Sequence, residues 1–130
     1  MKTLDAVHHH HTELTNEILF LKKEIDFLLK ILRNCYSSSV QSDKIKLMDS
    51  YWKSFEQNSE KLDQLLNRIQ LEEKKNVVLY KNNPDDSLVN DEKESDFSSK
   101  INTIQTETKL IKESFYEFMQ GCNACTLKTH

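Results

Sequence analysis

A single glycine, Gly121, and a single proline, Pro84, occur in 130 residues. One glycine cannot write a GxGxxG turn, a phosphate-cradling loop or a GxSxG nucleophile elbow, because each needs several backbone conformations or close approaches that side chains block. With so little proline and glycine there are also too few turns for a β-sandwich or barrel. Arginine is nearly as scarce: of eighteen basic residues all but Arg33 and Arg68 are lysine, and the net charge is −3. Readers of phosphates and base edges favour the planar guanidinium fork, so no nucleic-acid partner is expected. No apolar run is longer than the four residues from Ile18 to Leu21, against the roughly 20 that cross a bilayer, so no membrane association is expected. The start shows no apolar export segment, and Cys35, Cys122 and Cys125 make an odd count. Together these predict a cytoplasmic chain with reduced thiols.

What the chain does have is helical rhythm. Val7, His11, Leu14, Ile18, Leu21, Ile25, Leu28, Leu32 and Cys35 recur at alternating steps of four and three, which keeps one seam of a helix against a partner. The first helix is predicted over about 4–34. Phe20, Phe27 and Ile31 form a second stripe, wide enough to touch two neighbours. After a serine-rich connection, which Ser42 or Asp43 can close as a cap, a second helix is predicted over about 43–80. Its seam is Ile45, Met48, Trp52, Phe55, Ser59, Leu62, Leu66 and Ile69, and apolar character fades beyond Ile69.

Asn83 can cap a third helix and Pro84 suits its first position, placing that helix over about 84–120 or starting a few residues later. Its seam is Glu94, Phe97, Ile101, Ile104, Thr108, Ile111, Phe115 and Phe118, and Gly121 is placed to end it in a left-handed cap. The fold class is therefore all-α. One domain, 1–121, forms an elongated antiparallel three-helix bundle, up-down-up, with a frayed tail over 122–130. The second stripe leaves open a homodimer or the docking of a partner helix.

Short connections constrain the register of antiparallel neighbours to within about one turn. His8 and His11 then fall level with 67–73 on the second helix and 94–97 on the third, so polar interruptions of all three seams meet at one end. His8, His11, Glu73 and Glu94 make a candidate metal site, since two imidazoles and two carboxylates suit Zn²⁺, Fe²⁺ or Mn²⁺. His9 with Glu13, and Glu13 with Glu17, could support it. The plain alternative is a hydrated bundle end that binds nothing. The four-histidine run also admits an origin as a purification tag, but the seam passing from Val7 through His11 to Leu14 favours a native segment.

Other features are read as structural. Tyr51, Trp52 and Phe55 are expected in the core. Asp85, Asp86, Asp91, Glu92, Glu94 and Asp96 read as a solvated helix start, and calcium would need loop spacing and a glycine turn that are absent. Cys122 and Cys125 with His130 offer three zinc ligands and no fourth, and follow a helix C-terminus where no dipole activates a thiol, so the tail is expected to be inert. No nucleophile is organised beside a base.

The opening His8-His9-His10-His11-Thr12, followed by Ile18-Leu19-Phe20-Leu21-Lys22-Lys23-Glu24-Ile25, resembles a family of short helical proteins without assigned function found in Bacteroidetes. That pattern opens with His-His-x-His-Thr-x-Trp and continues into a Phe-Tyr-Lys-x-Glu-like segment. The likeness extends over 55–69 and 115–119. Leu14 stands where the pattern has Trp, and Ser50, Asn67 and Ser95 stand where it tends to carry histidine. The resemblance implies a histidine-rich bundle end, loosely hemerythrin-like, that is depleted here, and brings no activity with it.

The expected function is accordingly binding, of a partner helix or of a metal at the histidine end, and not catalysis. The alternatives are a non-haem metal protein handling oxygen, peroxide or metal storage, and a scaffold or dimerisation module with no site.

Overall fold

The computed structural model describes residues 2–36, 42–82, 88–89 and 92–121. In chain order these form β1 (Lys2–Thr3), α1 (Leu4–Tyr36), α2 (Ser42–Asn82), β2 (Leu88–Val89) and α3 (Glu92–Gln120). The three helices pack on one another as an all-α bundle, with α1 against α2, α2 against α3 and α1 against α3. β1 and β2 form only a two-residue antiparallel ladder, Lys2 opposite Val89 and Thr3 opposite Leu88.

Side-chain pairs show the directions. Lys22 donates to Asp63 and Tyr36 to Asp49, so α1 and α2 are antiparallel. Tyr51 Oη lies 2.8 Å from Ser114 Oγ, and Lys93 donates to Glu72 over 2.7 Å, so α2 and α3 are antiparallel too. His10 meets Ser98 and Glu24 meets Lys112, which leaves α1 and α3 parallel. The topology is up-down-up.

Every position of the predicted α1 seam is buried. The α2 seam is rotated slightly from expectation. Tyr51, Phe55, Asn58, Leu62, Leu65 and Ile69 are buried, while Trp52, Ser59 and Leu66 lie half-buried at its edge. Leu and Phe at these heptad-like positions share one continuous core, closed at the connection end by Tyr51, whose ring packs tilted against Phe115 and Phe118. Burial on α2 ends at Ile69 as the fading periodicity predicts, and Val77, Val78 and Tyr80 beyond it are exposed.

Four expectations need correction. α3 begins at Glu92 rather than near residue 84. Leu88 and Val89 instead take extended backbone whose hydrogen bonds go to β1, which is incompatible with helix. The Asn83 cap, Pro84, and Asp85, Asp86 and Asp91 lie outside the described residues, as does the tail with Cys122, Cys125 and His130. Gly121 is not a left-handed cap, since no glycine has positive φ among the described residues. Its amide continues the helical pattern by donating to Glu117 O at 3.3 Å. Of the second α1 stripe, Ile31 is buried, whereas Phe20 is 71% and Phe27 54% exposed. Glu24, between them on the same face, reaches Lys112 of α3 over 3.4 Å while both rings stay exposed. The acidic start of α3 is not uniformly solvated either, because Glu94 is buried.

Candidate metal centre

The seam of α1 places Val7, His11 and Leu14 on its buried face, so one polar ring enters the core among apolar neighbours. His11 is 2% exposed, and its ring meets Phe97 edge-on with centroids 5.9 Å apart. His8, one turn earlier, is on the flank of the same helix facing α2 and is largely in solvent. α2 contributes Glu73 from the turn after Ile69, where its seam has become polar. α3 contributes Glu94 from its first turn, on the face that continues into Phe97 and Ile101.

The four residues form a chain of contacts. Glu73 Oε2 accepts from His8 Nδ1 at 2.7 Å and Glu73 Oε1 from His11 Nδ1 at 2.5 Å. On the other side of the ring, His11 Nε2 lies 2.5 Å from Glu94 Oε1. That last contact is short but lacks hydrogen-bond geometry. Those two atoms are the buried side-chain N and O atoms left without a hydrogen-bond partner among the described residues. Burial alone would raise the Glu73 pKa, yet the hydrogen bonds and charge of His8 and His11 outweigh it and hold the carboxyl below its ordinary range.

The neighbours sort themselves around this chain. His9 pairs with Glu13 at 3.0 Å on the exposed side of α1, pointing away from it. His10 Nε2 lies 3.1 Å from Ser98 Oγ, a further α1–α3 tie that sequence reasoning did not find, since a serine one turn along α3 carries no distinctive signal. Asn67 and Ser95, level with the site, are exposed. Two grooves meet at the His8–Glu73 pair. One, of about 380 Å³, runs along α1 and α2 past Thr12, Asn16, Gln70 and Lys74. The other, of about 290 Å³, is lined by Leu4, Val77 and Tyr80.

As they stand, no three or more His, Cys, Asp or Glu side chains among the described residues surround a common point in the manner of a filled metal site. The Nδ1 atoms of His8 and His11 are instead hydrogen-bonded to the two oxygens of Glu73. What this arrangement can do chemically follows from proton counting. A neutral imidazole carries one N–H, yet His11 has a carboxylate oxygen at each ring nitrogen. One positive charge more than neutral imidazole supplies, either a proton or a cation, is needed to satisfy both.

No family model, curated protein or solved structure matches the chain. None of the described helices is long and apolar enough to cross a membrane.

Proposed function

We propose that this chain is a non-enzymatic helical-bundle binding protein whose histidine-rich end takes a divalent transition metal, zinc or iron, held by His8, His11, Glu73 and Glu94. One observation carries the reading: the buried His11 ring lies between two carboxylates, with a deficit of positive charge that a bound cation removes. Two imidazoles with carboxylates are a borderline donor set, matched to Zn²⁺ or Fe²⁺ rather than to the oxygen-only sites of Ca²⁺ or Mg²⁺. Iron would direct the same site toward oxygen or peroxide handling or metal storage. A reducing cytoplasm is the compartment proposed, where Cys35, buried in the core, stays a thiol. Membership of the Bacteroidetes family it resembles belongs to the same proposal.

Metal content per chain of protein purified without a tag, with isothermal titration of Zn²⁺ and Fe²⁺, tests it. About one ion per chain is expected, bound in the micromolar range or tighter and lost in His8→Ala and His11→Ala. Binding no tighter than about millimolar, indifferent to both substitutions, would overturn the reading.

A second reading rests on the exposure of Phe20 and Phe27, two aromatic rings one heptad apart on α1. It makes this stripe the seam of a homodimer. Sedimentation equilibrium would then show a dimer that Phe20→Lys with Phe27→Lys converts to a monomer. A wild-type monomer at all concentrations removes this reading.

A further inference from the structure

The four residues proposed to hold the ion are not equivalent, and their differences say where it sits. Two edges of His11 are available. The inner edge offers His11 Nε2 and Glu94 Oε1, on side chains that are 2% and 3% exposed, and neither atom has a hydrogen-bond partner among the described residues. A cation there would have two protein ligands and no route for water to supply the rest, whereas Zn²⁺ takes four ligands and Fe²⁺ more. A proton needs only two partners, so a proton fits the inner edge.

The outer edge offers four donor atoms from three residues: His8 Nδ1, His11 Nδ1 and both oxygens of Glu73. They do not enclose a common point as they stand, but each histidine nitrogen already touches one oxygen of the same carboxylate, and a divalent ion would displace the protons shared in those two contacts. His8 is 71% and Glu73 26% exposed, so both can shift by a side-chain rotation without disturbing the core. This edge also borders both grooves, so coordination positions not filled by protein face solvent.

Resting on the metal-binding reading above, we infer that His8, His11 and Glu73 form an open two-histidine, one-carboxylate site whose remaining coordination positions take a small exogenous anion or neutral donor from the groove, with Glu94 as a positioning residue and not a ligand. With Nδ1 of His11 on the ion, the single imidazole proton is on Nε2, 2.5 Å from Glu94 Oε1, and a small rotation of the Glu94 carboxyl group would bring the two into line. The buried carboxylate thereby sets the tautomer and orients the ring, the role a hydrogen-bonded carboxylate plays behind a ligating histidine. Once so aligned, both orphaned atoms of the inner edge are satisfied, Nε2 as the donor and Glu94 Oε1 as its acceptor. Three protein ligands with open positions distinguish sites that bind small molecules from closed structural ones.

Cobalt(II) is the probe, since its visible bands report both binding and changes of ligand. Titration of the intact chain with CoCl₂ is expected to give one ion per chain, and added sodium azide should alter the bands saturably. His8→Ala, at a solvent-exposed position, should keep the helical circular dichroism and lose the bands. Glu94→Gln should keep the bands and the stoichiometry while weakening affinity about 10–100-fold, and Glu94→Ala should weaken it further. Cobalt bound one per chain but indifferent to azide would overturn the open site while leaving metal binding intact. Bands that survive His8→Ala and vanish in Glu94→Gln would move the ion to the inner edge. Failure of the wild-type chain to bind cobalt at all would remove the metal reading and this inference with it.

Discussion

Among the described residues Asn58 and Thr108 are the only polar pair in the middle of the core: both are buried, and Asn58 Nδ2 donates to Thr108 Oγ1 over 3.1 Å between α2 and α3. A net hydrogen bond is worth about 1 kcal/mol, but an orphaned buried partner costs roughly 1–3 kcal/mol. Thr108→Val should therefore destabilise the chain by about 1–3 kcal/mol in urea unfolding, while Asn58→Leu with Thr108→Val recovers most of the loss. A double variant less stable than both singles would show that the pair does more than satisfy itself. Glu72 lies one residue before the site and has a different role. Burial pushes its carboxyl up, but Lys93 at 2.7 Å and Lys75 at 3.5 Å outweigh that and hold it below its ordinary value of 4.5. A depressed folded pKa contributes stability that is fully present above the unfolded value and is lost as pH falls through the folded one. Glu72→Gln should thus lower stability at pH 7 and make the acid limb of the stability profile shallower below about pH 5. Identical acid limbs would show that the two lysines do not stabilise the ionised carboxylate.

At the scale of elements, the helices were legible because each is long and its apolar residues repeat at steps of three and four over most of its length. α1 starts at Leu4 as predicted, one turn before the periodic seam, and runs two residues past its predicted end. The start of α3 was misread for a local reason. Asn83-Pro84 is a strong start signal by capping chemistry, but the backbone hydrogen bonds of Leu88 and Val89 go to Lys2 and Thr3, which no local signal encodes. Gly121 was misread in the same way. A glycine after a helix suggests a left-handed end, yet a Cβ added here would meet Phe118 O at 3.7 Å and Glu117 O at 3.9 Å, ordinary contacts. Gly121→Ala is therefore expected to be neutral or to stabilise by up to about 1 kcal/mol, through the lower entropy of the unfolded chain. A loss of more than about 1 kcal/mol in thermal unfolding would restore the special backbone that the sequence suggested.

For the whole molecule, the proposed metal binding would be coupled to folding because its ligands come from different helices. His8 and His11 are on α1 and Glu73 on α2, with Glu94 behind them on α3, so an ion held by them would bind the assembled bundle and not the unfolded chain. At a free zinc concentration 100 times the dissociation constant, the folded state gains about 2.7 kcal/mol. Zinc should raise the midpoint of thermal unfolding by several degrees, a chelator should reverse the rise, and His8→Ala should abolish it. An unfolding midpoint unmoved by zinc would show that the histidine end is a hydrated terminus of the bundle and no more.

The amino-acid order alone was enough for three helices, for the full seam of α1, and for the end of the bundle at which His8, His11, Glu73 and Glu94 gather. Hydrophobic periodicity is a local quantity, and short connections limit axial slip to about one turn. It could not set the rotation of each helix about its axis, which at 100° per residue decides burial within a single step. Packing decided that Tyr51, Asn58 and Leu65 turn inward ahead of Trp52, Ser59 and Leu66, and that Phe20 and Phe27 stay outside. Packing also put both Nδ1 atoms on one carboxylate and closed Glu94 in behind the ring. Which of four equivalent-looking ligands faces solvent and which faces the core is a property of three surfaces fitted together, and no one helix contains it.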